Sequence, residues 1–108
     1  MMTVLSNPRC SKCRQLLAYL QDKGVEVSVR EYLNEPLSAE ELVELAGKLQ
    51  LPPKLWTREA VPDDILLAAE KIAERPEILQ RPIVIDGDRA TVARSLPEFA
   101  DWLTTSPS

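Results

Sequence analysis

The first third of the chain carries hydrophobic patterns that predict a strand, a helix and a second strand. Residues 3–6 begin with β-branched and apolar side chains and stop at an Asn-Pro pair, which favours a short strand. From Ser11 onward apolar residues recur at spacings of three and four, which is typical of an amphipathic helix, and Gly24 is a suitable residue to end it. Residues 25–32 alternate apolar and polar and predict a strand, so the three elements form a βαβ unit.

Two further helices are predicted in the middle of the chain. Ser38 is followed three residues later by Glu41, which is the spacing of a capping box, and apolar residues then repeat with helical periodicity. The proline pair at 52–53 ends this helix, because proline cannot continue the backbone hydrogen bonds. Residues 63–75 show the same helical periodicity and predict the second helix.

A β-hairpin and a last helix are predicted near the C-terminal end. The apolar stretches 83–85 and 90–93 are separated by Asp-Gly-Asp at 86–88, which favours an antiparallel pair, and the last helix follows Ser95. A parallel unit is thus joined to an antiparallel pair, with helices available for both faces. This order predicts an α/β fold of the thioredoxin-like type, with a mixed four-stranded sheet flanked by helices.

Composition and charge describe an ordinary small protein. Its 108 residues, 44% hydrophobic and 28% charged, predict a single domain spanning 1–108. No apolar run approaches the roughly 20 residues of a membrane helix, the N-terminus lacks the apolar core of a signal peptide, and two cysteines are too few for a secreted disulfide scaffold. We therefore expect a cytoplasmic protein without membrane contact. The net charge of −4 argues against non-specific nucleic-acid binding.

The absence of histidine narrows the chemistry further. Without histidine the chain lacks the commonest general base and the Cys–His and Ser–His nucleophile pairs. Two thiols alone leave a zinc site short of ligands. We therefore expect no metal and no bound cofactor, and chemistry based on cysteine and charged side chains.

The stretch 7-NPRCSKCR-14 contains both cysteines of the chain. Cys10 lies where the first strand gives way to the first helix, and the free N–H groups of the first helical turn favour an anion there. Arg9, Lys12 and Arg14 add positive charge, so a lowered thiol pKa and a nucleophilic Cys10 are expected. Cys13 lies one turn later on the same face, at a spacing that allows a disulfide, and is the candidate resolving thiol. The alternative is that both cysteines are small buried hydrophobic residues.

The same stretch resembles the N-terminal motif of the glutaredoxin-linked arsenate reductase family, which also contains the Spx regulators. The stretches 32-YLNEPLSAEEL-42, 55-LWTRE-59 and 80-QRPIVIDG-87 extend the resemblance over nearly the whole chain. The resemblance implies a thioredoxin-like fold with a helical insertion at about 37–80, between the second and third strands.

The resemblance also implies a site and its reactants. Cys10 would attack arsenate, and three arginines, Arg58, Arg81 and Arg94, would bind the oxyanion. The Arg81–Pro82 peptide bond would be cis and would face the cysteine. The remaining residues expected to support the site are Asn7, Pro8, Ser11 and Lys12.

Three readings of function follow from these expectations. The first is an arsenate reductase-like thiol oxidoreductase, with glutathione and glutaredoxin, or thioredoxin, as electron donor. The second is a redox switch of the Spx type, in which the state of Cys10 and Cys13 controls binding to a protein partner such as RNA polymerase. The third is a general CxxC dithiol–disulfide oxidoreductase.

Overall fold

A four-stranded mixed sheet forms the centre of the protein. The computed structural model describes residues 2–104. The strands are β1 (Met2–Ser6), β2 (Val27–Glu31), β3 (Ile83–Asp86) and β4 (Arg89–Val92). The α-helices are α1 (Ser11–Asp22), α2 (Ala39–Leu49), α3 (Ile65–Glu74) and α4 (Leu96–Thr104). The strand order across the sheet is β2-β1-β3-β4.

Strand directions confirm the predicted thioredoxin-like fold. β1 pairs in parallel with β2, so that Ser6 lies opposite Glu31, and pairs antiparallel with β3. β3 and β4 form the predicted hairpin. Because β1 and β2 run in the same direction, the residues that follow them emerge at the same edge of the sheet. The candidate cysteine motif follows β1 at that edge.

Alternating side chains of β1 serve two hydrophobic cores, one on each face of the sheet. Val4 packs on the side of α1 and α4, in a core that also contains Leu16, Leu20, Val84 and Phe99. Leu5 packs on the side of α2 and α3, in a core that also contains Leu42, Leu45, Trp56, Ile72 and Ile83. Helices therefore cover both faces, as predicted.

The helix α2 begins with the predicted capping box. The Ser38 hydroxyl accepts a hydrogen bond from the Glu41 N–H at 3.2 Å, and the Glu41 carboxylate accepts one from the Ser38 N–H at 3.0 Å. α3 begins at Ile65, two residues later than predicted, because the Asp64 carboxylate accepts from the first free N–H groups and makes Asp64 the N-cap.

The strand β2 is shorter than the predicted 25–32. At its start, Val25 donates its N–H to the carbonyl of Leu20 and so closes the end of α1 instead of pairing in the sheet. At its end, the carbonyl of Glu31 accepts from the N–H groups of Asn34 and Glu35, which turns the chain away from the sheet. Local hydrogen bonds thus keep residues at both ends out of β2, although their apolar and polar side chains alternate as in a strand.

The hairpin turn is tighter than predicted. Asp86 pairs with Arg89, so the turn consists of two residues, Gly87 and Asp88, and β4 starts and ends one residue earlier than predicted. Gly87 has φ of +62°, a left-handed conformation that side chains with a Cβ adopt at a cost.

The segment between β2 and β3 is helical, as the fold class predicted. It contains α2, α3 and two short 3₁₀ helices, Pro53–Leu55 and Pro76–Ile78. Within residues 2–104, none of the helices combines the length and hydrophobicity needed to cross a bilayer.

Candidate active site

Cys10 is the N-cap residue of α1 at the edge where β1 ends. Its backbone is extended, and its N–H donates to the carbonyl of Asn7 at 2.9 Å, which closes the turn after the strand. The backbone N–H groups of Lys12 and Cys13, in the first turn of the helix, lie near the Cys10 sulfur. The strand, the Asn-Pro turn and the helix start together hold the half-buried thiol among hydrogen-bond donors.

These donors lower the pKa of Cys10 from 9.0 to about 7. Partial burial acts in the opposite direction, because it disfavours the charged thiolate. The backbone N–H of Cys13, the guanidinium of Arg81, the thiol of Cys13 and the backbone N–H of Lys12 outweigh it by hydrogen bonding to the thiolate. Much of Cys10 is therefore ionised at neutral pH.

Cys13 has the opposite electrostatic environment. Its side chain is fully buried, and burial raises the pKa of its thiol. Hydrogen bonds from the Asn7 N–H, 3.5 Å from the sulfur, and from the Ser6 side chain counteract this only in part, and the neighbouring Cys10 raises the pKa further. At neutral pH the motif therefore combines a thiolate at Cys10 with a protonated thiol at Cys13, neither of them in a disulfide.

A cavity of about 210 Å³ opens beside Cys10. Its lining residues are Cys10, Lys12, Arg58, Gln80 and Arg81. Three cationic side chains and a thiol with a lowered pKa thus share one small space, although the net charge of the chain is −4. A larger cavity of about 500 Å³ lies between α2 and α3, but its charged lining residues are glutamates and it contains no thiol.

Arg58 reaches this cavity through pairing of two loop segments. Thr57 and Leu79 form an isolated antiparallel bridge, and the N–H of Arg58 donates to the carbonyl of Ile78 at 2.6 Å. The N–H of Gln80 in turn donates to the carbonyl of Trp56 at 3.0 Å. The exposed Arg58 side chain is therefore held next to the segment that carries Arg81.

Arg94 lies outside the lining of the cavity. Its guanidinium donates from Nη2 to the carbonyl of Leu55 at 2.7 Å, and its side chain is exposed. Leu55 begins the LWTRE stretch that also carries Arg58, so Arg94 contacts the loop of a second candidate arginine. Of the three arginines expected to bind an oxyanion, Arg58 and Arg81 lie together beside Cys10, and Arg94 lies at the neighbouring loop.

The remaining expected residues lie on or near the same edge. The Arg81–Pro82 peptide bond is cis, and the buried Pro82 accepts from the N–H of Ala93 at 2.9 Å. The side-chain oxygen of Asn7 accepts from the N–H of Arg9 at 3.0 Å, which fixes the turn before Cys10. Pro8 and Ser11 are exposed, and Lys12 lines the cavity.

Two side chains that sequence reasoning did not single out lie at the dithiol. Ser6 is the last residue of β1 and hydrogen bonds with Cys13. Tyr32 directly follows β2, is fully buried, and interacts electrostatically with Arg81, Cys13 and Cys10. The signal that could have identified both is positional, since the last residues of adjacent parallel strands meet at the edge that carries the cysteines.

Known proteins resemble this chain in sequence and in structure. A family model for the ArsC family matches residues 5–101, which include both cysteines and all three arginines. An arsenate reductase of Neisseria meningitidis serogroup A is 34% identical over 107 residues, 86% of this chain and 90% of that protein. A global transcriptional regulator Spx of Enterococcus faecalis is 28% identical over 117 residues, 95% of this chain and 86% of that protein. The solved structure of an arsenate reductase from Vibrio cholerae superimposes with a TM-score of 0.81 at 29% identity, over 93% of this chain and 95% of that chain. Within residues 2–104, no three Cys, Asp or Glu side chains are grouped so that they could hold a metal ion.

Proposed function

Because this chain belongs to the ArsC family, we propose that it is a thiol oxidoreductase that reduces arsenate, with Cys10 as the nucleophile. The observation that carries the proposal is the cavity in which a thiol of pKa about 7 lies beside Arg58 and Arg81. Guanidinium groups stay charged at all physiological pH values and present several N–H donors to a tetrahedral oxyanion. The site can therefore hold an anion next to a thiolate without needing a histidine.

The first step forms a covalent adduct. The Cys10 thiolate attacks arsenic, a sulfur–arsenic bond forms, and one arsenic–oxygen bond breaks, with the oxygen leaving as water after taking up protons. Arsenic remains As(V) in this step. Arg81, and Arg58 beside it, stabilise the negative charge on the remaining oxygens.

The second step transfers the electrons. A second thiolate attacks the Cys10 sulfur and forms a disulfide, while the sulfur–arsenic bond breaks and its electron pair stays on arsenic. Arsenic is thereby reduced from As(V) to As(III), and the two sulfurs together lose two electrons. The attacking group is glutathione or Cys13. For Cys13 the step requires loss of its proton, because burial keeps its thiol protonated.

The disulfide must then be reduced to complete the cycle. Glutaredoxin acting with glutathione, or thioredoxin, would supply two electrons and return Cys10 to the thiolate. Covalent catalysis of this kind divides one difficult step into easier ones. Arg94 is proposed as a third oxyanion ligand, since its side chain is exposed and lies at the loop that carries Arg58.

The decisive experiment measures arsenate-dependent consumption of NADPH. One assay contains glutathione, glutaredoxin and glutathione reductase, and a second contains thioredoxin and its reductase. Cys10→Ser should abolish turnover in both, and Arg81→Ala should lower kcat/KM for arsenate about 100-fold. Cys13→Ser should abolish turnover only if Cys13 is the attacking thiol, and should leave it intact if glutathione is.

Arg75→Ala is the matched control for the arginine variant. Arg75 pairs with Glu59 and Glu77 on the surface and is absent from the cavity lining, so its loss should leave kcat/KM within about twofold of wild type. No arsenate turnover with either donor system would reject the proposal. Reduction of a protein disulfide by the same preparation would then favour the general dithiol oxidoreductase.

A second candidate function is a redox switch that binds a protein partner. The similarity to an Spx regulator over 95% of this chain, together with the cysteine pair, favours it over other binding functions. The test is binding to bacterial RNA polymerase by gel filtration, with the protein reduced and with it oxidised. Binding that depends on the oxidation state, and that is lost in Cys10→Ser, would support the switch; no binding in either state would reject it.

A further inference from the structure

Tyr32 lies at the same edge of the sheet as the cysteine motif. It follows β2 directly, and the last residue of β2, Glu31, pairs with Ser6, the last residue of β1. Asn7, which starts the turn to Cys10, and Tyr32 therefore each follow one of two paired strand ends. The Tyr32 side chain is fully buried on the sheet face covered by α2 and α3, among hydrophobic residues.

Two buried hydrogen-bond donors in this region lack an acceptor. The Tyr32 hydroxyl and the Arg81 Nε are both buried, and neither donates a hydrogen bond to any residue in the range 2–104. The guanidinium of Arg81 interacts with the Tyr32 hydroxyl, but a guanidinium can only donate, so it cannot accept the hydrogen of the phenol. Buried tyrosine hydroxyls ordinarily have a partner, because removal from water without a replacement bond is unfavourable. An acceptor within reach of both donors would satisfy them together.

The charged groups around the Tyr32 hydroxyl define the acceptor that fits. The neighbouring groups that shift the pKa of the Tyr32 hydroxyl are Arg81, Cys13 and Cys10, so the hydroxyl lies near the guanidinium and the two thiols. Burial raises the pKa of Tyr32 and outweighs the opposing effect of Arg81, so the phenol remains protonated and is a neutral donor. A buried neutral donor beside a guanidinium is suited to a negatively charged oxygen.

We propose that the Tyr32 hydroxyl donates a hydrogen bond to an oxygen of the oxyanion held between Cys10 and Arg81. Tyr32 is then a buried substrate-binding residue, whereas Arg58 is an exposed one. This inference rests on the proposed function, because it requires that an oxyanion binds at Cys10. The ligand class is a tetrahedral oxyanion, and arsenate is the probe.

The chain supplies a matched control for the hydroxyl. Its two tyrosines are Tyr32 and Tyr19, and Tyr19 lies on α1, where its ring contacts Phe99 edge-on at a centroid distance of 6.2 Å. Tyr32→Phe and Tyr19→Phe remove the same atom from opposite faces of the sheet. The Tyr32 hydroxyl donates no hydrogen bond within the described residues, so Tyr32→Phe should unfold at about the same temperature as the parent protein.

The experiment measures protection of Cys10 from iodoacetamide by arsenate, in a Cys13→Ser background. This background leaves one thiol to report and prevents a disulfide from being mistaken for protection. We expect Tyr32→Phe to raise the arsenate concentration needed for half-protection about tenfold and to leave the alkylation rate without arsenate within about twofold of the parent. Tyr19→Phe should change neither quantity.

The outcomes separate this inference from the proposed function. If arsenate does not protect the parent protein, the oxyanion site itself is rejected. If arsenate protects the parent and Tyr32→Phe equally, the site stands and the role of Tyr32 is rejected. Equal protection with a slower turnover of Tyr32→Phe, in a protein that retains Cys13, would assign the hydroxyl to the resolving thiol instead.

Discussion

At the scale of single residues, Cys10 and Cys13 differ in charge because of where their sulfurs lie. Cys10 caps a helix and faces donors, whereas Cys13 is one turn inside the helix and faces the hydrophobic interior. The guanidinium of Arg81 acts on Cys10 directly and is the one cationic side chain among the main causes of its low pKa. The ionisation of Cys10 should therefore depend on this one arginine more than on the total positive charge nearby.

The rate of Cys10 alkylation by iodoacetamide should follow an ionisation with a midpoint near pH 7. Arg81→Gln should move that midpoint toward the ordinary 9.0, because it removes a hydrogen bond to the thiolate. Arg9→Gln removes a charge next to Cys10 in the sequence without removing this bond, so it should move the midpoint less. Alkylation is followed by mass spectrometry between pH 5 and pH 10, and equal shifts for the two variants would contradict the assignment.

The sequence predicted the lowered pKa of Cys10 but not the full set of side chains around it. A helix start after a strand is visible in the pattern, so the environment of Cys10 follows from local sequence. Tyr32 and Gln80 come to the site through strand pairing and a loop bridge, which no local pattern shows. Arg94 was expected from its motif alone, and its contact with Leu55 depends on loop packing that the sequence does not encode locally.

At the scale of elements, the start of α2 joins a helix cap to a cross-element ion pair. The Glu41 carboxylate accepts from the Ser38 N–H within the capping box and pairs with Arg30 of β2 at 2.6 Å. The hydrogen bond from Arg30, followed by that from the Ser38 backbone, lowers the pKa of Glu41 from 4.5 to about 2. The start of α2 and the edge strand β2 are thereby tied together.

Glu41→Gln keeps the capping geometry and removes the charge. Because the folded pKa is below the ordinary value, the charge stabilises the protein fully above about pH 4.5, and this contribution is lost as the pH falls toward 2. We expect Glu41→Gln to lower the free energy of unfolding by about 0.5–1 kcal/mol at pH 6, and the difference to shrink below pH 4. Urea unfolding at pH 6 and at a pH below 4 measures this difference in the free energy of unfolding. Glu40→Gln, an exposed neighbour in the same turn, should show a smaller difference at pH 6.

Gly47 in α2 and Gly87 in the hairpin turn should respond to alanine in opposite directions. Gly47 is within α2, and a Cβ there would meet no atom within 4 Å. Gly47→Ala should therefore raise the free energy of unfolding by about 0.5–1 kcal/mol through helix propensity. Gly87 also has room, but its φ of +62° penalises a Cβ, so Gly87→Ala should lower the free energy of unfolding by about 1 kcal/mol. Thermal unfolding measures both, and a loss of stability in Gly47→Ala would contradict the helix argument.

Element types were predictable where one local pattern dominated, and element ends were predictable only where a local hydrogen-bonded motif marks them. Ser38 and Glu41 predicted the start of α2 because the capping box is a local interaction. The alternation of 25–32 extended beyond β2 because Val25 completes the end of α1, and strand alternation does not register such a hydrogen bond. The same competition between local hydrogen bonds and periodicity explains the two-residue delay of α3.

At the scale of the whole molecule, two hydrophobic cores share one sheet. Trp56 is fully buried in the core beneath α2 and α3, and Trp102 stacks on Phe99 in the core beneath α1 and α4, with ring centroids 5.7 Å apart. The strand β1 contributes Val4 to one core and Leu5 to the other. If β1 separates from one core, the other core is therefore exposed as well.

This arrangement predicts that both faces unfold in a single transition. In Trp102→Phe the fluorescence reports Trp56 alone, and in Trp56→Phe it reports Trp102 alone. Within each variant, the urea midpoint seen by fluorescence should equal the midpoint seen by far-ultraviolet circular dichroism, because the shared strand couples the two cores. The comparison is made inside each variant, so a change in stability caused by the substitution does not affect it. If the Trp102 fluorescence changes at a lower urea concentration than the dichroism, α4 and the core beneath it separate from the sheet first. The packing of β1 on both faces would then couple the two cores too weakly for a single transition.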